Sequence, residues 1–280
     1  LSAHAQDNPL WMRYCAISPD GTSIAFTYKG DIYTVPVNGG KAAQITTNAA
    51  HDTHPVWSPD GKQIAFASDR MGSMDIFVVD REGGIPKRLT THSGNETPVA
   101  FKDADHILFL ANVMPSAEDA QFPSGQFQQV YEVSTTGDRP VMFSSMPMED
   151  ISINKTGNAL LYHDKKGYED PWRKHHTSSI TRDIWLCSLD GKRSYRKLTS
   201  FNGEDRTPVW ASDGKSFYYL SEEKGSFNVF KRALDGTTST QLTHHTKHPV
   251  RFLTAADNGT LCYGYDGEIY TMKEGTEPRK

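Results

Sequence analysis

A three-residue signature, an acid or amide, then Ile or Val, then an aromatic ring, returns six times along this chain. The copies are Asp31-Ile32-Tyr33, Asp75-Ile76-Phe77, Gln129-Val130-Tyr131, Asp183-Ile184-Trp185, Asn228-Val229-Phe230 and Glu268-Ile269-Tyr270. Steps between their central residues are 44, 54, 54, 45 and 40. Strand-like units at a period of roughly 40 to 50 residues are the spacing of propeller blades. The expected fold is all-β, a six-bladed β-propeller.

Each signature sits in a larger unit whose parts keep their order. In the second unit these are Pro55-Val56-Trp57, the turn Ser58-Pro59-Asp60-Gly61, Ile64 to Ala67, Asp75 to Val79, Gly83-Gly84 and Arg88-Leu89-Thr90. Runs of β-branched and aromatic residues read as strands, and the Pro, Asp and Gly between them as turns. One unit therefore holds four antiparallel strands. In the turn, Pro presets the first corner, Asp can bond its own backbone and Gly accepts a left-handed conformation. Ser18-Pro19-Asp20-Gly21 repeats it fully, Ala211-Ser212-Asp213-Gly214 loses the proline, and Asn154 to Gly157 and Ala256 to Gly259 keep only the glycine; Lys102 to Asp105 has lost even that. The blades are expected at about 10–47, 54–91, 97–145, 149–200, 206–244 and 248–280.

A single four-stranded sheet cannot bury both of its faces, so six of them favour one closed ring over separate domains. A formal charge of −4 with no basic stripe argues against nucleic acid. No apolar run approaches the roughly 18 residues of a membrane-spanning helix. Residues 1–8 read as a signal-peptide remnant and a disordered terminus: Leu1-Ser2-Ala3-His4-Ala5 carries small residues at the −3 and −1 positions of a signal-peptidase site, which points to a periplasmic or secreted protein. Cys15, Cys187 and Cys262 fall in expected strands of different units and read as small buried hydrophobes.

Antiparallel order sorts the loops. The Pro-Asp-Gly and Gly-Gly turns share one face of the ring, while the loops between second and third strands and the blade-to-blade connections share the other. Two insertions belong to that second face, Ala111 to Gln128 and His163 to Arg182. The latter holds Tyr168, Trp172 and the basic run Arg173-Lys174-His175-His176. Arg grips a carboxylate bidentately, Lys adds a point charge and the aromatics offer stacking surface, so a peptide C-terminus is a suitable guest.

The connections carry a second polar set, among them His54, Glu96, Asp150, Asp205, Arg206 and His248, each expected at the rim of the central channel. Their spacing matches no metal motif, and solvation of the rim with some electrostatic selection is the simpler role. No cofactor motif occurs. There is no G-x-S-x-G elbow, and Ser18 and Ser58 recur with the turns, so no catalytic residue is assigned.

The stretch Pro55 to Arg70, continued by Asp75-Ile76-Phe77, Gly83-Gly84 and Leu89-Thr90, resembles the WD40-like repeat of TolB and of the tricorn protease propellers. The likeness extends from Leu10 to Lys280. Six such repeats after a secretory signal most resemble the amino-terminal six-bladed propeller of bacterial tricorn-like serine peptidases. That resemblance implies a non-catalytic domain that gates or binds peptides, with the catalytic Ser and His on downstream domains of the same polypeptide. It also implies that a basic pair on a propeller loop seats the substrate's C-terminus, a role that Arg173-Lys174 matches by position. Only Glu277 to Lys280 remain for the last strand of the sixth unit, so the final blade is expected to be incomplete and the chain to be cut from a longer one. The alternatives are a stand-alone TolB-like interaction module in the periplasm, and a propeller enzyme with a metal or carboxylate site in its channel.

Overall fold

The computed structural model describes residues 10–112, 128–167, 172 and 180–280. The Leu1 to Ala5 signal pattern, most of both insertions and the run Arg173, Lys174, His175 and His176 lie outside them. Six antiparallel sheets are arranged as blades, five of four strands and the sixth of three, with strands in sequence order from the axis outward. Among the described residues there is no helix. The innermost strands are Arg13–Ile17, Asp52–Trp57, Glu96–Phe101, Met148–Ile153, Asp205–Trp210 and Arg251–Ala255. Each touches its two neighbours, and the sixth touches the first, so the ring is closed. In the last blade, a bridge between Thr271 and Arg279 begins a fourth strand.

The apolar interior is divided into six clusters, each shared by two adjacent blades. Successive side chains of a strand point to opposite faces, so both faces of every blade enter a core. Ile64 and Phe66 join the cluster with the first blade, while Ala65 between them joins the cluster with the third. This double burial explains the continuous apolar runs at second strands such as Ser216–Ser221. Cys15, Cys187 and Cys262 are free thiols buried in these cores.

Two recurring sequence elements now have physical roles. The third position after the turn-opening residue is a left-handed glycine in five blades, closing an N–H to carbonyl bond of 2.8 to 3.0 Å from Gly21, Gly61, Gly157, Gly214 and Gly259. The Leu-Thr ending of the outer strand supplies a hydroxyl to the signature triplet. Thr46, Thr90, Thr199 and Thr243 accept from the backbone N–H of Ile32, Ile76, Ile184 and Val229 at 2.8 to 3.0 Å. Where the first triplet residue is Asn228, the same threonine donates to its side chain at 2.9 Å. The acid or amide of the triplet thus locks the outer edge of the blade.

Candidate functional site

Innermost strands depart from regular pairing at one common level. In every blade the register slips so that two residues face a single buried aromatic of the second strand. Those aromatics are Phe26, Phe66, Phe109, Tyr162, Tyr219 and Tyr263. The first bulge residue is left-handed in five blades: Tyr14 (φ 52°), His54 (φ 55°), Asp150 (φ 49°), Thr207 (φ 52°) and Phe252 (φ 58°). Pro98 fills the equivalent place in the third blade, where its ring excludes positive φ. A non-glycine residue in this region costs on the order of 1 kcal/mol.

All six positions line the central cavity, whose volume is about 1080 Å³ and which extends from the tight turns at Pro19, Pro59 and Asp257 to this level. Its wall has two unlike halves. Along the sixth, first and second blades, Phe252, Tyr14 and His54 form an aromatic arc, with ring centroids 4.8 Å apart for Tyr14 and Phe252 and 3.7 Å for Tyr14 and His54. Gly264 makes room for it, since a Cβ there would lie 2.9 Å from Phe252 Cδ2. Desolvation pushes the His54 imidazole down to about 4, which leaves it neutral at ordinary pH.

Along the fourth and fifth blades the wall is ionic. Glu149 accepts from Lys165 Nζ at 2.8 Å and from Arg182 Nε at 3.3 Å, and its Oε2 lies 3.2 Å from His163 Nε2. Arg182 continues to Glu204 at 3.0 Å, and Arg206 approaches the same carboxylate at 3.5 Å while its guanidinium lies 4.0 Å over the Phe227 ring. The Thr207 hydroxyl donates to Asp150 at 2.6 Å, and the Thr207 N–H donates to His163 Nδ1 at 3.2 Å, which makes Nδ1 the acceptor. Burial works to raise the Glu149 carboxyl, but the hydrogen bond from His163, then the charge of Arg182 and the hydrogen bond from Lys165, hold it well below the usual carboxylate range. Burial draws the Arg206 guanidinium down to about 10, against the opposing pull of Glu204.

Trp172 joins the two halves. It belongs to the fourth-blade insertion, yet its ring stands over the Arg13 and Arg251 guanidiniums at 5.1 and 4.8 Å and meets Phe252 edge-on at 6.3 Å. Its carbonyl accepts from Arg251 at 3.0 Å.

Of the rim residues expected from sequence, His54, Asp150 and Arg206 line the cavity. Glu96 and Asp205 do not. Each is the first residue of an innermost strand, two positions before the bulge, and both are buried away from the axis. The hydroxyl of Thr90 donates to Glu96. Burial, helped by the Asp75 charge, raises Glu96 to about 7, and burial raises Asp205 to about 6. His248 lies outside the cavity lining, with Nε2 3.3 Å from Asp266. Among the described residues no cluster of three or more His, Cys, Asp or Glu side chains is placed to hold a metal ion. Tyr14, Thr207 and Phe252 went unnoticed because aromatic and β-branched residues in a strand read as core. The signal that could have found them is their shared offset from the buried aromatic of the next strand.

A ring of six blades with an axial cavity between unlike walls is the geometry against which known proteins can be compared. The tricorn protease N-terminal beta propeller domain matches residues 9–278. This chain belongs to that family. "Tricorn protease homolog 1" of Streptomyces coelicolor is 25% identical over 276 residues, covering 97% of this chain and 24% of the homolog. The crystal structure of the tricorn protease superposes with a TM-score of 0.80 at 20% identity, over 97% of this chain and 26% of that one. TolB from Acinetobacter baumannii gives 0.67 at 15% identity, over 93% and 60% of the two chains, a likeness of fold alone. The chain thus spans about a quarter of the length of the curated tricorn relatives it matches.

Proposed function

We propose that this domain is the non-catalytic propeller of a tricorn-like peptidase, that its axial cavity admits and holds peptides, and that Arg173 and Lys174, with His175 and His176 beside them, seat the peptide's C-terminal carboxylate. The observation that carries this reading is the cavity itself: about 1080 Å³, lined by Trp172 of the fourth-blade insertion, and walled by rings on one side and ion pairs on the other. A site with apolar contact surface and a few placed polar groups suits a peptide, whose backbone needs hydrogen bonds and whose side chains need apolar cover. Peptide bond cleavage would fall to other domains of the parent polypeptide.

The test is binding of dye-labelled hexapeptides to the 280-residue chain, each made as the free acid and as the amide. The acid is expected to bind more tightly by roughly 2 to 4 kcal/mol, the worth of charge-assisted bonds to a carboxylate. Replacing Arg173 and Lys174 together by Ala should erase that difference and leave the amides almost unchanged. Equal binding of acid and amide would defeat the seating role, and no binding of any peptide would defeat the domain-level reading. Turnover that vanished on mutating a residue of this chain would contradict its non-catalytic assignment.

A further inference from the structure

Strained backbone that recurs at one level of a repeat protein calls for a cause. Tyr14, His54, Asp150, Thr207 and Phe252 belong to five separate blades, yet all hold positive φ at the first bulge position and all line the cavity. Glycine would adopt this conformation freely, and none of the five is glycine. Their side chains share no chemistry that packing of a blade would require. What they share is the axis. Three consecutive blades contribute the rings of Phe252, Tyr14 and His54 in continuous contact, at 4.8 and 3.7 Å. All three remain partly exposed, unlike the fully buried aromatics opposite the bulges. The sixth blade gives up a side chain at Gly264 to accommodate Phe252. Partly exposed rings held in tilted contact, at interplanar angles of 33° and 53°, still present π-surface and edges to whatever enters the cavity, and aromatic surface favours another ring.

We infer that the arc Phe252–Tyr14–His54 is a stacking site for an aromatic side chain of a peptide held in the cavity, and that this arc, rather than the ionic wall opposite, decides which peptides are preferred. The inference rests on the peptide-binding reading above. With His54 neutral, the arc carries no charge of its own at ordinary pH, so its preference is for ring over aliphatic and acidic side chains.

The experiment uses hexapeptides with identical Gly and Ser flanks and free C-termini, differing only in a central Trp, Leu or Glu, titrated into the 280-residue chain by fluorescence anisotropy. The Trp peptide is expected to bind roughly five- to tenfold more tightly than the others. His54→Gly and Phe252→Gly remove one ring each, and the relief of positive φ offsets part of the packing lost, Phe252 resting on the core between the first and sixth blades; a thermal melt of each variant shows that it is folded at the titration temperature. In both, the preference should fall to within about twofold, while Lys29→Gly, which relieves the same strain at φ 50° away from the cavity, should keep it in full. Peptides that bind equally well whatever their central residue, or a preference that survives both glycine variants, would overturn the arc while leaving the peptide reading intact. Absence of binding by all three peptides would overturn both.

Discussion

Trp57 donates its indole N–H to the carbonyl of Ala16 at 2.9 Å, carrying a hydrogen bond from the second blade into the innermost strand of the first. Trp210 does the same to Ser152, at the same distance, between the fifth and fourth blades. These indoles help to fix the level at which neighbouring inner strands sit. Trp57→Phe keeps most of the packing and leaves the buried Ala16 carbonyl without its donor, which should cost about 1 to 3 kcal/mol. Urea unfolding at pH 7 measures it. A loss below about 0.3 kcal/mol would show that the indole bond adds nothing to the packing.

The ionic wall predicts acid sensitivity. Glu149 is held well below its ordinary range in the folded chain, so its contribution is complete above the unfolded value near 4.5 and is lost progressively as pH falls below it. Glu149→Gln should therefore destabilise at pH 7 by about 3 kcal/mol, because Arg182 and Lys165 lose a buried partner. The gap between wild type and variant should shrink toward pH 3. A gap independent of pH would remove the charge of Glu149 from the account.

Glu96 predicts the opposite trend. Its folded value near 7 lies above the ordinary 4.5, so the folded state binds the extra proton between these limits and stability attributable to Glu96 is lost as pH rises through 7. By the full shift, on the order of 3 kcal/mol is at stake. Glu96→Gln keeps a side chain that can accept from Thr90 and removes the titration, so it should match wild type near pH 5 and exceed it at pH 8. Equal stabilities at both pH values would mean that Glu96 is solvated or paired when ionised.

The same residue marks the limit of what the chain reveals before it is folded. The triplet, the Asp-Gly turns and the Leu-Thr endings each describe a local conformation, and each appears where its spacing predicts, so the blades were legible one unit at a time. Which side of an inner strand faces the axis was not. Glu96, Asp205, Asp150 and Arg206 all occur just after blade-to-blade connections and look alike in sequence. The bulge decides between them: it turns the positions of Asp150 and Thr207 to the cavity and leaves Glu96 and Asp205, two residues earlier, buried. A bulge is set by the fit of two blades around a buried aromatic, a tertiary condition with no local residue signature when the left-handed position is taken by Tyr, His, Asp, Thr or Phe instead of Gly.

The seam between the last and first blades offers the sharpest steric test. Gly21 and Gly157 close equivalent turns with the same φ of 71°. Around Gly157 an added Cβ would meet nothing within 4 Å, whereas at Gly21 it would lie 2.3 Å from Asn258 Nδ2. Asn258 is not free to swing aside, since it donates to the Asp20 carbonyl across the seam at 3.3 Å and accepts from Thr260 N–H at 3.0 Å. Gly157→Ala should thus cost only the positive-φ penalty of about 1 kcal/mol, and Gly21→Ala that penalty plus about 1 to 2 kcal/mol for displacing Asn258. Placing Gly21→Ala in an Asn258→Ala background should return its cost to that of Gly157→Ala, because the clash has gone while the backbone strain remains. Urea midpoints for the two single alanine variants, Asn258→Ala and the double variant close the cycle. Equal costs at Gly21 and Gly157, or a double variant no better than additive, would mean that the seam does not pass through Asn258.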